Sequence, residues 1–152
     1  MEAFRLSREK YAAPLSGKGA AMKGARWNSV GMEIIYTASN RSLAMAEVAV
    51  HLTLATIPAD YVMLTVYLPD GISTQKLTLK DLPADWNAFP HPNSTQAVGD
   101  KFISENKYCV LQIPSVVTSG DYNLLMNPHH SEFPKIKIIA IEKFPFDRRI
   151  FK

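Results

Sequence analysis

The chain has 152 residues, 47% of them hydrophobic and 20% charged, with a net charge of +3. That composition excludes a disordered chain, and the length suits one domain, residues 1–152, able to bury roughly two thirds of the surface its unfolded form exposes. Lysine and arginine are dispersed without a basic run, which disfavours a nucleic-acid arm and favours an anionic small molecule or an acidic partner surface. The one cysteine, Cys109, excludes an internal disulfide and reads, between Tyr108 and Val110, as a buried hydrophobe of a reducing compartment. No apolar run reaches the roughly 18 residues that cross a bilayer, and the first residues lack a signal-peptide layout. A cytoplasmic protein without membrane contact is the expectation.

Along the chain, Leu6 to Ala13 reads as a short edge strand leading into a small, flexible segment, Pro14 to Ala21. Two glycines and Lys18 suggest a phosphate loop, but the Gly-x-x-x-x-Gly-Lys-Ser/Thr spacing is missing. Glu33 to Ala38 has the β-branched and aromatic content of a strand. Ser39, Asn40 and Ser42 offer caps for a helix that continues to Pro58, apolar nearly all round and therefore expected to be buried. Tyr61 to Leu68 is a continuous apolar run, predicting a central strand covered on both faces. Pro69-Asp70-Gly71 turns the chain, Ile72 to Leu82 reads as strand pieces or loop, and Trp86 to Pro92 as irregular. Ser94 would cap a second helix through Asn106 with Val98, Phe102 and Ile103 as its buried stripe. Gly99 inside it costs about 1 kcal/mol against alanine, so another backbone should approach closely there. Tyr108 to Ile113, Asn123 to Asn127 and Ile136 to Phe144 complete the strands. Strands outnumber helices and do not alternate with them, which predicts an α+β fold.

Within the helix after Asn40, Glu47 is the one acid in a run whose only other titratable group is His51. On a helical wheel it lies about 40° from Leu43, at the edge of the stripe formed by Ala46, Val50 and Leu54. An ionised carboxylate there costs several kcal/mol unless a cation or a polar ligand faces it. Arg26, between Ala25 and Trp27, presents a permanently charged fork suited to phosphate or carboxylate. It could equally pair with Glu47 and simply satisfy a core acid. Tyr36 is either a packed strand aromatic or a ligand platform, and Ser115 either ties up a strand end or contributes a hydroxyl. No Gly-x-Ser-x-Gly elbow surrounds Ser115. The step Asn127-Pro128 reads as a turn, and neither His-Glu-x-x-His nor a cysteine pair marks a metal site. Asp81, Asp85, Asp100 and Glu105 lie in segments that look exposed, which argues against a two-carboxylate glycosidase.

Taken in order, Gly24-Ala25-Arg26-Trp27-Asn28-Ser29-Val30-Gly31, Ile35-Tyr36-Thr37-Ala38, Ala46-Glu47-Val48, Gly99-Asp100-Lys101-Phe102, Ile113-Pro114-Ser115 and Tyr122 to His129 resemble the RES-domain family across essentially the whole chain. The chain departs from the family pattern after His129, where His130 and Ser131 replace the usual proline. The resemblance implies an ADP-ribosyltransferase-like split, mixed or antiparallel sheet with a few helices. It also implies a toxin of a type II toxin–antitoxin pair that consumes NAD, as a glycohydrolase or phosphorylase. Arg26, Glu47 and Ser115 would then be catalytic, and Arg26, Tyr36, Ser115 and Asn123 would bind substrate. No cofactor or metal is implied, since NAD is the substrate. An antitoxin with a helix-turn-helix DNA-binding region would cover the site and carry any nucleic-acid contact. A homodimer and a hetero-oligomer with that partner both remain open, as do two rival functions: ADP-ribosylation of one host protein, and a non-catalytic nucleotide- or protein-binding module.

Overall fold

Seven strands, all but the short Thr74–Lys76 segment built on apolar residues, pair into one sheet in this computed structural model, which describes residues 1–151. The strands are β1 (Glu2–Arg8), β2 (Ile35–Ala38), β3 (Tyr61–Tyr67), β4 (Thr74–Lys76), β5 (Val110–Pro114), β6 (Tyr122–Met126) and β7 (Lys137–Lys143). Their order is β4-β5-β6-β2-β1-β3-β7, with β4–β5 parallel and every other neighbouring pair antiparallel. Strands β1 and β3 stay in register from Glu2↔Tyr67 to Arg8↔Tyr61, whereas β1 meets β2 at the single pair Phe4↔Ala38. The sheet is therefore nearly split between β2 and β1, and the fold is α+β.

Three helices accompany the sheet: α1 (Lys18–Lys23), α2 (Arg41–Ala49) and α3 (Asn93–Glu105). Directly opposed residues of antiparallel strands share a face, so Phe4, Ala38, Asn123 and Ile113 all point to one side. Leu43 and Ala44 of α2 pack on that side against Phe4, Leu6, Ala38 and Met63, while Phe102 of α3 packs there against Leu111, Ile113 and Leu125. Both helices thus cover one face, and Asn123 lies on the same face between their two clusters. The opposite face buries Ala3, Ile35, Leu64, Val66, Leu124 and Met126 under Ala12, Leu15, Ile72 and Phe133. Strand β3 is buried on both faces, as its continuous apolar run predicts.

Several expectations are corrected. The first strand starts at Glu2 and lies inside the sheet, because both of its sides find partners in β2 and β3. Part of the segment expected to be flexible forms α1, which Gly17 begins by lying so close to Ile34 that a Cβ would sit 2.6 Å from its backbone nitrogen. Helix α2 is capped by Asn40, whose Oδ1 accepts from the Leu43 N–H at 2.8 Å, but it ends at Ala49 and not at Pro58. The His51 and Leu52 N–H groups fold back to Val48 and Ala49, the tight pattern that closes a helix. Thr53 and Thr56 then cap each other around a separate 3-10 turn. Val50 and Leu54 consequently project outward, 61% and 40% exposed, and only Leu43 and Ala44 of α2 are fully buried. At α3, Pro92 holds the N-cap position while the Ser94 hydroxyl turns to Asp85 at 2.7 Å. Asp100, expected on an exposed segment, is half-buried.

Candidate active site

A side chain of α2 reaches the residue that follows β5. There the buried Ser115 hydroxyl donates to Glu47 Oε1 at 3.1 Å. Ser115 Oγ in turn accepts from the Val117 and Thr118 N–H groups, both at 3.1 Å. Two backbone donors thus hold the oxygen in place and direct its one proton at the carboxylate. Ser115 thus closes the turn after β5 and also reaches the acid.

Arg26 and Trp27 form the tip of a two-residue hairpin closed by Ala25 and Asn28, which exchange backbone hydrogen bonds of 3.0 and 3.4 Å. Trp27 turns inward and is buried against the α3 side of the core. Arg26 takes a different course, and its Nη1 donates to the Trp86 carbonyl at 3.0 Å and the Ala88 carbonyl at 2.9 Å. No ion pair joins Arg26 to Glu47, so the simple structural pairing is not made; the two charges act through space. Burial pulls the Arg26 pKa below its ordinary value, and the Glu47 charge opposes that shift. A guanidinium has five N–H donors, so anchoring the 86–88 segment leaves others for an anion.

Tyr36 on β2 packs at the edge of the same core. Its hydroxyl accepts from the Trp27 N–H at 3.1 Å and donates to Asn28 Oδ1 at 2.6 Å, and burial raises its pKa well above the ordinary value of 10.0. The fully buried Asn28 passes the connection on, its Nδ2 donating to Ala20 and Met32 carbonyls at 2.9 and 3.1 Å. The hydroxyl of Tyr36 is thus committed to the hairpin. Asn123 donates to the Thr37 carbonyl at 3.3 Å across the β2–β6 pair. Asn127 and His129 stand apart in a turn: Asn127 Oδ1 accepts from the His129 N–H and its Nδ2 donates to Asn106.

Asn28 and the 86–88 segment are parts of the site that sequence reasoning did not select. Asn28 was visible as a polar residue beside a core tryptophan, whereas the Trp86 and Ala88 carbonyls carry no side-chain signal. Hollows of about 380 Å³, beside Leu77, Phe102 and Tyr108, and about 320 Å³, beside Leu68 and Ile72, are lined by neither Arg26, Glu47 nor Ser115. Among the described residues no cluster of three His, Cys, Asp or Glu side chains could hold a metal, and no helix is long and apolar enough to cross a membrane.

Comparison with known proteins agrees across the chain. A "Prs ADP-ribosylating toxin" of Sphingobium sp. (strain YBL2) is 34% identical over 148 residues, 96% of this chain and 92% of that protein. A "Toxin Res" of Photorhabdus laumondii subsp. laumondii is 31% identical over 151 residues, 98% and 96% of the two chains. In the crystal structure of the M. tuberculosis MbcT–MbcA toxin–antitoxin complex, one chain superimposes with a TM-score of 0.77 at 21% identity, covering 94% of this chain and 83% of its own, a likeness of fold. The RES domain matches residues 2–148, and with curated relatives above 30% identity along nearly their whole length, the chain belongs to the RES-domain family.

Proposed function

We propose that the protein is the toxin of a bacterial toxin–antitoxin pair and that it consumes NAD by breaking the bond between nicotinamide and ribose. The observation that carries this reading is the Glu47 carboxylate, held by the Ser115 hydroxyl and within electrostatic reach of Arg26, in a domain whose relatives bear toxin names. Nicotinamide is attached to NAD as a cationic N-glycoside and departs neutral, so no general acid is required. The charge that must be stabilised is positive and grows on the ribose carbon, as in glycoside cleavage. One oriented carboxylate in a partly dry setting suits that demand, because its field is preorganised and weakly screened. Arg26 offers its remaining N–H groups to the pyrophosphate or a ribose hydroxyl, and the Tyr36 ring offers a flat apolar surface to the base.

Water as acceptor gives a glycohydrolase, and phosphate gives a phosphorylase. Transfer to a protein side chain is the second reading, favoured by the name of the Sphingobium relative. The non-catalytic module remains the third. A covering antitoxin fits the apolar groups exposed beside the site: Val50, one helical turn beyond Glu47, and Phe89, 91% exposed and adjacent to the Ala88 carbonyl that Arg26 holds. The helix-turn-helix region and any DNA contact belong to that partner in this proposal. Purified protein incubated with NAD, with and without phosphate, should release nicotinamide measurable by chromatography, and Glu47→Gln should abolish release while remaining folded. Undiminished release by a folded Glu47→Gln protein would refute the electrostatic role. Label transferred from NAD to a lysate protein, with little background hydrolysis, would establish the second reading, and stoichiometric NAD binding without release the third.

A further inference from the structure

Helix α3 does more than cover the sheet: three of its residues on one face close on the hairpin that carries Arg26. Gln96 Nε2 donates to the Ala25 carbonyl at 3.1 Å and the Asn28 carbonyl at 3.2 Å, bridging the two ends of the hairpin. Asp100 accepts from the Ser29 N–H at 2.9 Å through Oδ1 and from the Ser29 hydroxyl through Oδ2. Between them Gly99 lies so close to the Trp27 carbonyl that a Cβ there would fall 1.6 Å from its oxygen. The spacing i, i+3, i+4 places all three side by side on the helix. From the opposite side the Tyr36 hydroxyl takes the Trp27 N–H. A two-residue tip joined by one bridge has little rigidity of its own, and here its backbone groups at Ala25, Trp27, Asn28 and Ser29 are each gripped by a side chain from another element.

We propose that Asp100 and Gln96 are positioning residues for Arg26, acting through the hairpin backbone to hold the guanidinium at the Trp86 and Ala88 carbonyls and at the substrate's anionic group. This rests on the NAD-cleaving reading for its kinetic consequence but not for its structural one. Both carboxylate oxygens of Asp100 are engaged by Ser29, three residues from the arginine it serves. Among the described residues Asp100 forms no salt bridge, and a backbone N–H and a hydroxyl satisfy its half-buried carboxylate instead.

Asp100→Ala removes both acceptors of the Ser29 donors, and Gln96→Leu removes both Gln96 bonds to the hairpin and serves if the first variant fails to fold. Each should lower kcat/KM for nicotinamide release by between about tenfold and about a hundredfold while the protein stays folded, because small displacements of a positioned group act on rate. In an Arg26→Ala background the same substitutions should change the rate by less than about twofold, the signature of residues acting through one another. The Arg26 guanidinium NMR signal should shift and lose its protection from exchange in both variants. An undiminished kinetic loss in the Arg26→Ala background, or an unaltered Arg26 signal, would overturn the proposal and leave α3 a purely structural role. If the wild-type protein released no nicotinamide, the NAD reading would fail, and the Arg26 signal would still decide this one.

Discussion

Replacing Gly99 by alanine tests the packing on which the Arg26 hairpin depends, because two physical effects oppose each other there. Gly99 lies in the interior of α3, where alanine should stabilise by about 1 kcal/mol through helix propensity. Its backbone has no left-handed conformation that would resist a side chain, so propensity acting alone predicts a more stable protein. The added Cβ, however, would stand 1.6 Å from the Trp27 oxygen, 2.7 Å from the Trp27 carbonyl carbon and 3.2 Å from its Cβ. That is roughly 1.8 Å inside ordinary van der Waals contact, and the obstruction is backbone anchored by a buried indole, with no flexible tip to swing aside. Relief requires α3 to lift, which stretches the Gln96 and Asp100 hydrogen bonds, each worth about 0.5–1.5 kcal/mol. Overpacking adds about 1–3 kcal/mol. After the propensity gain is subtracted, the expected net loss is about 1.5–6.5 kcal/mol, a fall in Tm of roughly 3–25 °C for a domain of this size. Urea and thermal unfolding of Gly99→Ala against wild type read this directly. A variant as stable as wild type, or more so, would refute the close approach and the clamp built on it.

Ser115→Ala removes the acceptor of two N–H groups and the donor to Glu47, so it should cost about 1–2 kcal/mol in urea unfolding and also slow nicotinamide release; lost stability with unchanged turnover would leave Ser115 to the turn alone. Burial pushes the Cys109 thiol up to about 11, with the Glu132 charge adding to it, so the native protein should resist iodoacetamide at pH 8 and react once unfolded. Rapid native alkylation would contradict that placement. The Glu132 carboxyl is held below its ordinary value of 4.5, first by the Ser73 hydroxyl and further by the Ser73 N–H, Lys135 and His130. A depressed carboxyl stabilises the folded state fully above that ordinary value and loses its contribution as pH falls through the lower folded value. Glu132→Gln should therefore lower Tm at pH 7, with the gap to wild type closing as pH falls from the ordinary carboxyl value through the lower folded one; a gap that is constant with pH would show the charge to be irrelevant.

Much of this molecule follows from local pattern alone. The continuous apolar run of β3 reports burial on both faces, since no position in it tolerates water. Asn40 could be read as a cap because its side chain bonds within its own helix turn. Gly99 betrayed a close neighbour, because an unfavourable residue in a helix interior is retained where nothing larger fits. The lone acid among apolar residues drew attention to Glu47 for a similar reason: a half-buried charge needs a partner, and Ser115 supplies one. Identifying that partner lay beyond local reasoning. Arg26 and Glu47 looked like a pair by charge, yet the structure joins Glu47 to Ser115, 68 positions away, and Arg26 to backbone carbonyls that have no side-chain signature. The end of α2 was misjudged because apolar residues prolong a helix only where something covers them, and whether Val50 and Leu54 are covered depends on the packing of the whole sheet. The interior place of β1 and the work of Asp100 were hidden likewise, since hydrogen-bond partners far apart in sequence become neighbours only when the chain folds.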